Sequence, residues 1–163
     1  MNKPTIYLDT SFISLLVARP SRDILTAQRQ HYSRLWWDLH RQNYTLIKSH
    51  LVTTECEQGD AEMASQRLAI LDAATPVDPP HTAVESLQHS LIVPAGPLPK
   101  KASLDALHLA IAAVGRCDYL LTWNFTHLVN PQIRRSADSI IRRSGYEPAS
   151  IITPDQDVES ART

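Results

Sequence analysis

Short apolar runs alternate with segments of helical spacing along most of this chain, and that alternation limits the folds open to it more than any other feature. TIYL, near the start, shows no polar alternation, the pattern of a central parallel strand buried on both faces. YTLI, a weaker run around TPVDP, DYLLTW and ASIIT supply four further strands. Strands separated by helices specify an α/β class with a mainly parallel five-stranded sheet, although pattern alone does not order the strands. The intervening helices carry recognisable ends. Ser21 caps one running from about Arg22 to Arg41, with Leu25, Tyr32, Trp36 and Leu39 on one face. Ser49 caps another that carries Leu51, Val52 and Glu55. Gly59 and Asp60 stop one helix and restart the next, which runs through Met63, Leu68 and Leu71. Further helices are expected near Thr82 to Leu91 and from Pro131 to Arg143, the last ending at Gly145. The prolines of VPAGPLPKK make a stiff loop. Residues 1–154 form one expected domain, long enough to bury roughly two-thirds of its unfolded surface. Residues 155–163, DQDVESART, are polar and without periodicity, so they read as a frayed tail.

Charge narrows the functional classes. Sixteen Lys plus Arg against seventeen Asp plus Glu give a net charge of −1, so no whole-molecule basic field attracts a polyanion, and any nucleic acid must be held by a local patch. Lys100 and Lys101, just before one helix-like segment, are candidates for such a patch. Arg19, Arg22, Arg134, Arg135, Arg142 and Arg143 read mostly as solvated surface. Cys56 and Cys117 stand in neither a CxxC nor a zinc spacing and read as small buried apolar residues in a reducing compartment. The apolar run near the N-terminus is too short for a secretory segment and no stretch is long enough to span a membrane, so the expected location is the cytoplasm.

Three acidic residues lie where an α/β fold gathers ligands. Asp9 ends the first strand, Glu55 lies early in a helix after the second, and Asp105 is in the first turn of SLDALHLAIAAV. In a parallel sheet, strand carboxyl ends meet at one edge. Carboxylates gathered there repel one another unless a cation or proton intervenes, and oxygen-only ligation suits Mg²⁺ or Mn²⁺. Each residue also has a plainer use: Asp9 as a helix cap, Asp105 as a first-turn anion, Glu55 as a solvated helix residue. Thr10 and Ser11 can cap the helix after Asp9 or offer hydroxyls to the site. His108, three residues after Asp105, is either a core histidine or an orienter of Asp105. Asn124 closes the DYLLTW strand at the same edge without bringing charge, and His127 follows it by three positions.

YLDTS, the isolated Glu55, DALHLA and LLTWNFTHL together resemble the PIN-domain family, in particular the ribonuclease toxins of VapC type in bacterial toxin–antitoxin pairs. The likeness runs from Asp9 to ASIIT. It implies a PIN-like three-layer sandwich with a five-stranded parallel sheet flanked by helices. It further implies metal-dependent endoribonuclease activity on RNA, leaving a 5′-phosphate and a 3′-hydroxyl, with Asp9, Glu55 and Asp105 binding Mg²⁺ or Mn²⁺. Asn124 stands where the family usually has Asp, so three charged ligands support one ion more securely than two. The same likeness implies a cognate antitoxin and a homodimer. Two alternatives stand beside it. One is a PIN-fold module that binds RNA or protein without cutting. The other is a phosphatase or phospho-acceptor using Asp9, for which the second Asp expected two positions later is absent, Ser11 standing there.

Overall fold

A computed structural model describes residues 2–162. Five strands, β1 (Thr5–Leu8), β2 (Thr45–Lys48), β3 (Thr75–Pro76), β4 (Tyr119–Leu121) and β5 (Ser150–Ile152), form one sheet in the order β3-β2-β1-β4-β5, and every pairing is parallel. TIYL is the central strand, as its unbroken apolar character requires, and Ile6, Tyr7 and Leu8 are wholly buried. Because β1 is flanked by β2 and β4, whatever follows these three strands is brought to one edge.

The helices are α1 (Thr10–Val17), α2 (Ile24–Leu39), α3 (His50–Cys56), α4 (Ala61–Leu71), α5 (His81–Leu91), α6 (Ser103–Val114), α7 (Pro131–Arg143) and α8 (Pro154–Ser160). Ser49 and Asp60 cap α3 and α4 through Val52 N–H and Met63 N–H. Gly59 (φ 83°) and Gly145 (φ 93°) adopt the left-handed conformation at the ends of α3 and α7, where a Cβ would be strained. The cap of α2 is Asp23 rather than Ser21. The Ser21 hydroxyl accepts Asp23 N–H, and Asp23 Oδ2 accepts Thr26 N–H at 2.9 Å, so the helix starts two residues later than its sequence suggests. Its expected apolar face is also only partly used: Trp36 is fully buried, whereas Leu25 and Leu39 are more than half exposed.

The tail expected to fray from residue 155 instead forms α8 as far as Ser160; Thr163 lies outside the described residues. Long-range bonds, not local periodicity, hold it. Asp157 Oδ2 accepts the indole N–H of Trp36 at 2.7 Å and the Tyr44 hydroxyl at 3.0 Å. Tyr44 also stacks on Trp36, and burial with the neighbouring Asp157 charge keeps its phenol protonated and donating. Asp157→Ala strands both donors beside the core. Its expected cost is about 2 kcal/mol in urea unfolding, with Asp157→Asn intermediate; a midpoint unchanged in both would show that α8 contributes nothing to stability.

Cys56 and Cys117 are both buried and unpaired. Burial pushes their thiols up to about 11 and about 12 respectively, partly offset at Cys56 by Arg67. Thiolate is the reactive form, so both are expected to resist an aromatic disulfide reagent in native buffer at pH 8 and to react promptly in urea. Fast native labelling would contradict this packing. Among the described residues no helix is long and apolar enough to cross a membrane.

Candidate active site at the carboxyl edge of the sheet

Asp9 follows β1 directly, and its N–H continues the ladder to Leu121 O at 3.0 Å. It is the N-cap of α1, one of the uses its sequence position allows, in place of Thr10 or Ser11, and it is only 5% exposed. Oδ2 accepts the Ser11 hydroxyl at 2.5 Å and the Thr122 hydroxyl at 2.8 Å. The proton directions follow from the loop after β4. Trp123 N–H donates to Ser11 Oγ and Asn124 N–H to Thr122 Oγ1, each at 3.0 Å, so both hydroxyls turn their own hydrogens toward Asp9. The two ends of the β1–β4 pair thereby fix the orientation of one buried carboxylate.

His108 occupies the space between Asp9 and Glu55. Its Nε2 lies 2.8 Å from Glu55 Oε1 and 3.6 Å from Asp9 Oδ1, and the ring is almost wholly buried. The sequence leaves it as a core histidine or an orienter of Asp105, and its burial agrees with the first. The structure turns it toward the residues that follow β1 and β2, a juxtaposition set by strand order. Burial opposes charge on this imidazole, but the Glu55 hydrogen bond and the charges of Asp9, Glu55 and Asp105 outweigh it and raise its pKa above the ordinary histidine value. For Glu55, burial raises the pKa, yet the hydrogen bond and charge of His108, with the Thr10 hydroxyl at 2.8 Å, leave it below the usual carboxylate value.

Behind the imidazole, Nδ1 meets the Tyr7 hydroxyl at 2.8 Å, and that hydroxyl meets Ser49 Oγ at 2.6 Å. Burial, reinforced by the nearby Asp9 and Glu55 charges, keeps Tyr7 protonated. When the imidazole is protonated, Nε2–H donates to Glu55, Nδ1–H to Tyr7 and Tyr7 O–H to Ser49, and a cation lies between two carboxylates; in the neutral Nε2–H tautomer the Tyr7 hydroxyl instead donates to Nδ1 and accepts from Ser49.

Asp105, from the first turn of α6, is held apart from that pair. Its Oδ1 accepts the Asn124 amide N–H at 3.0 Å and its Oδ2 meets His127 Nδ1 at 2.7 Å, while Asn124 Oδ1 accepts His127 N–H. Asn124 is thus a donor to the acidic edge. Lys100 and Lys101 form a 3₁₀ turn before α6 and are exposed, and Lys100 lines a groove with Gln88 and Val93. Thr122, Tyr7 and Ser49 were not singled out as site residues from sequence. Thr122 was detectable, since it stands at the same strand end as Asn124. Tyr7 carries no local signal beyond a place in a buried strand.

Against the Mg²⁺ or Mn²⁺ expected from sequence, the donor chemistry fits, because Asp9, Glu55 and Asp105 offer hard oxygen ligands and no sulfur. The side chains do not close around an ion here: among the described residues no three His, Cys, Asp or Glu side chains are grouped as a metal requires. His108 takes the space between two of the carboxylates, and both Asp105 oxygens are engaged, one by the Asn124 amide and one by the His127 imidazole.

No protein-family model matches the chain, and no curated protein matches it in sequence. A solved structure matches its fold: a chain of VapBC2 from Rickettsia felis, crystallised with a DNA fragment from its promoter, superposes with a TM-score of 0.57 over 91% of this chain and 98% of that one, at 14% identity. An identity so low bears on architecture alone, and what it establishes, with the sheet order, is a PIN-like α/β fold: a parallel five-stranded sheet flanked by helices.

Proposed function

We propose that this chain is a divalent-metal-dependent endoribonuclease and the toxin member of a cytoplasmic toxin–antitoxin pair. The observation that carries the reading is Asp9: a buried carboxylate, oriented by two hydroxyls at the carboxyl edge of a PIN-like sheet and facing Glu55 across His108. Asp9, Glu55 and Asp105 would hold Mg²⁺ or Mn²⁺, which when bound supplies an acidified water and stabilises charge on the phosphoryl group. The remaining work falls to the chain. Ser11 and Thr122 orient Asp9, Thr10 bonds Glu55, and Asn124 with His127 bonds Asp105, so each carboxylate is held at the edge by neighbours of its own. Hydrolysis then forms one P–O bond to water and breaks the P–O3′ bond, with the proton passing to the 3′ oxygen. A small antitoxin is the partner this reading calls for, offering an Arg to the acidic edge; the structural neighbour is itself named as a VapBC2 complex.

A second reading is favoured by Asn124, whose amide donates to Asp105 where the family usually has a further acid. In that case the edge binds RNA or a protein without cutting. Incubating purified protein with a structured RNA pool in Mg²⁺, in Mn²⁺ and in EDTA separates the two. Cuts that require the metal support the nuclease; RNA retained but uncut under all three conditions supports the binding module.

A further inference from the structure

Most arginines outside α7 are already employed by the fold. Arg19 pairs with Glu62 at 3.5 Å, Arg34 donates to Ala18 O, and Arg67 donates to Cys56 O at the end of α3. Arg29 and Arg41 lie over the rings of Phe125 and Trp37. Helix α7 is different. It carries Arg134, Arg135, Arg142 and Arg143 against a single acid, Asp138, in a chain whose net charge is −1. Two of the four have acidic neighbours. Arg142 bonds Glu147 at 3.3 Å, and Asp138, whose pKa burial raises, feels the opposing charges of Arg142 and Arg134 one turn to either side. Arg135 and Arg143 are exposed and bond no described residue.

The placement of these groups is set by the helix. Ala137, Ile140 and Ile141 are buried, so Arg135, Ser139 and Arg142, at i, i+4 and i+7, fall on the opposite, outward face, with Arg143 beside them. The helix starts at Pro131, four residues after His127, whose imidazole bonds Asp105. It therefore begins at the acidic edge and runs back from it toward the start of β5. Along its axis Arg135 and Arg143 are about 12 Å apart. One stacked strand covers that distance in three to four nucleotides, at about 3.4 Å each.

We propose that α7 is a rail for single-stranded RNA, with Arg135 and Arg143 holding phosphates of the strand whose scissile bond lies at the acidic edge. The inference rests on the ribonuclease reading and deepens it. Carboxylates repel a polyanion and the chain as a whole supplies no compensating field, so the strand must be held by local cations. Guanidinium forks match phosphate oxygens, and the exposed Gln132, Ser136 and Ser139 add neutral donors beside them. An anionic membrane suits the helix poorly, because its apolar residues are committed to the core and cannot enter an acyl layer.

The test follows cleavage of a fluorescein-labelled single-stranded RNA in Mg²⁺ as KCl is raised. Replacing both residues, Arg135→Gln with Arg143→Gln, should raise KM about tenfold at low salt and leave kcat nearly unchanged. The slope of log KM against log[KCl] should fall by about 1.4, the release of counterions from two phosphates of a single strand. The loss should be the same for RNAs of different sequence, since phosphate contacts read none. Arg135→Lys with Arg143→Lys should restore the slope. Arg19→Gln with Arg22→Gln removes equal charge from the loop between α1 and α2 and should change the slope far less; an equal change would assign the effect to overall charge and overturn the rail. An unchanged KM and slope in the α7 variant would also overturn it, while leaving the nuclease standing. If the wild type cuts no RNA, the ribonuclease reading has failed, and anisotropy of the same labelled RNA judges the rail. Binding whose salt slope falls in the α7 variant supports it; no binding at low salt overturns it.

Discussion

Asp9→Asn is expected to reduce RNA cleavage by at least about a hundredfold, the scale of losing one preorganised charged group from a buried site. The thermal midpoint should stay within a few degrees of the wild type. The substitution preserves shape, and Asn retains an oxygen able to accept from Ser11 and Thr122, the two donors that hold Asp9. Charge is what disappears. The variant keeps the cap of α1, because Asn is as good a cap as Asp. Activity and stability therefore separate, as they must if Asp9 is functional and not only a cap. Near-wild-type cleavage in the variant would sink the assignment, and a large loss of stability would make the activity result uninformative about chemistry.

His108→Leu should cost about 3 kcal/mol of stability in metal-free buffer. Removing the cation from a buried ion cluster leaves the opposing charges uncompensated, a loss at the low end of the range for such clusters because Glu55 retains some solvent contact. Asp9 has almost none, and Tyr7 also loses its bond to the imidazole. The pH dependence follows from the two directions. His108 has a raised pKa, so its contribution is complete below the ordinary histidine value of about 6.5 and fades as pH climbs through the folded value. Glu55 has a lowered pKa, so its contribution is complete above about 4.3 and fades as pH falls through the folded value. The gap between wild type and variant is therefore widest from about pH 4.5 to 6.5. Urea denaturation across that range checks it; a gap independent of pH would mean that the loss is one of packing alone.

The parts of this protein that can be read from sequence are those encoded locally. TIYL declares a buried central strand, Ser49 and Asp60 declare helix starts, and Asp9 declares itself by ending a strand. Asp105 and Asn124 are legible for the same reason, each marking an element boundary. His108 is not. Its partners, Glu55 and Asp9, come from elements distant in the chain, and only the β2-β1-β4 order brings all three together. Strand order depends on which crossover packs where, a choice that hydrophobic periodicity does not record. The same limit explains α8. DQDVESART is polar and short, with nothing that marks it as structured until Asp157 meets Trp36 and Tyr44. Hydroxyls show the limit at its finest scale: sequence can place Thr122 at the sheet edge, but not the bond from its hydroxyl to Asp9.

Cleavage of RNA at the acidic edge is the activity on which the proposed function depends. The most direct test maps product ends after wild-type and Asp9→Asn proteins meet the same RNA pool in Mg²⁺, with EDTA as the control. Discrete cuts bearing 5′-phosphates and 3′-hydroxyls are expected from the wild type in Mg²⁺ only, and none above background from the variant. Identical fragment patterns from both proteins, or cuts that survive EDTA, would contradict it.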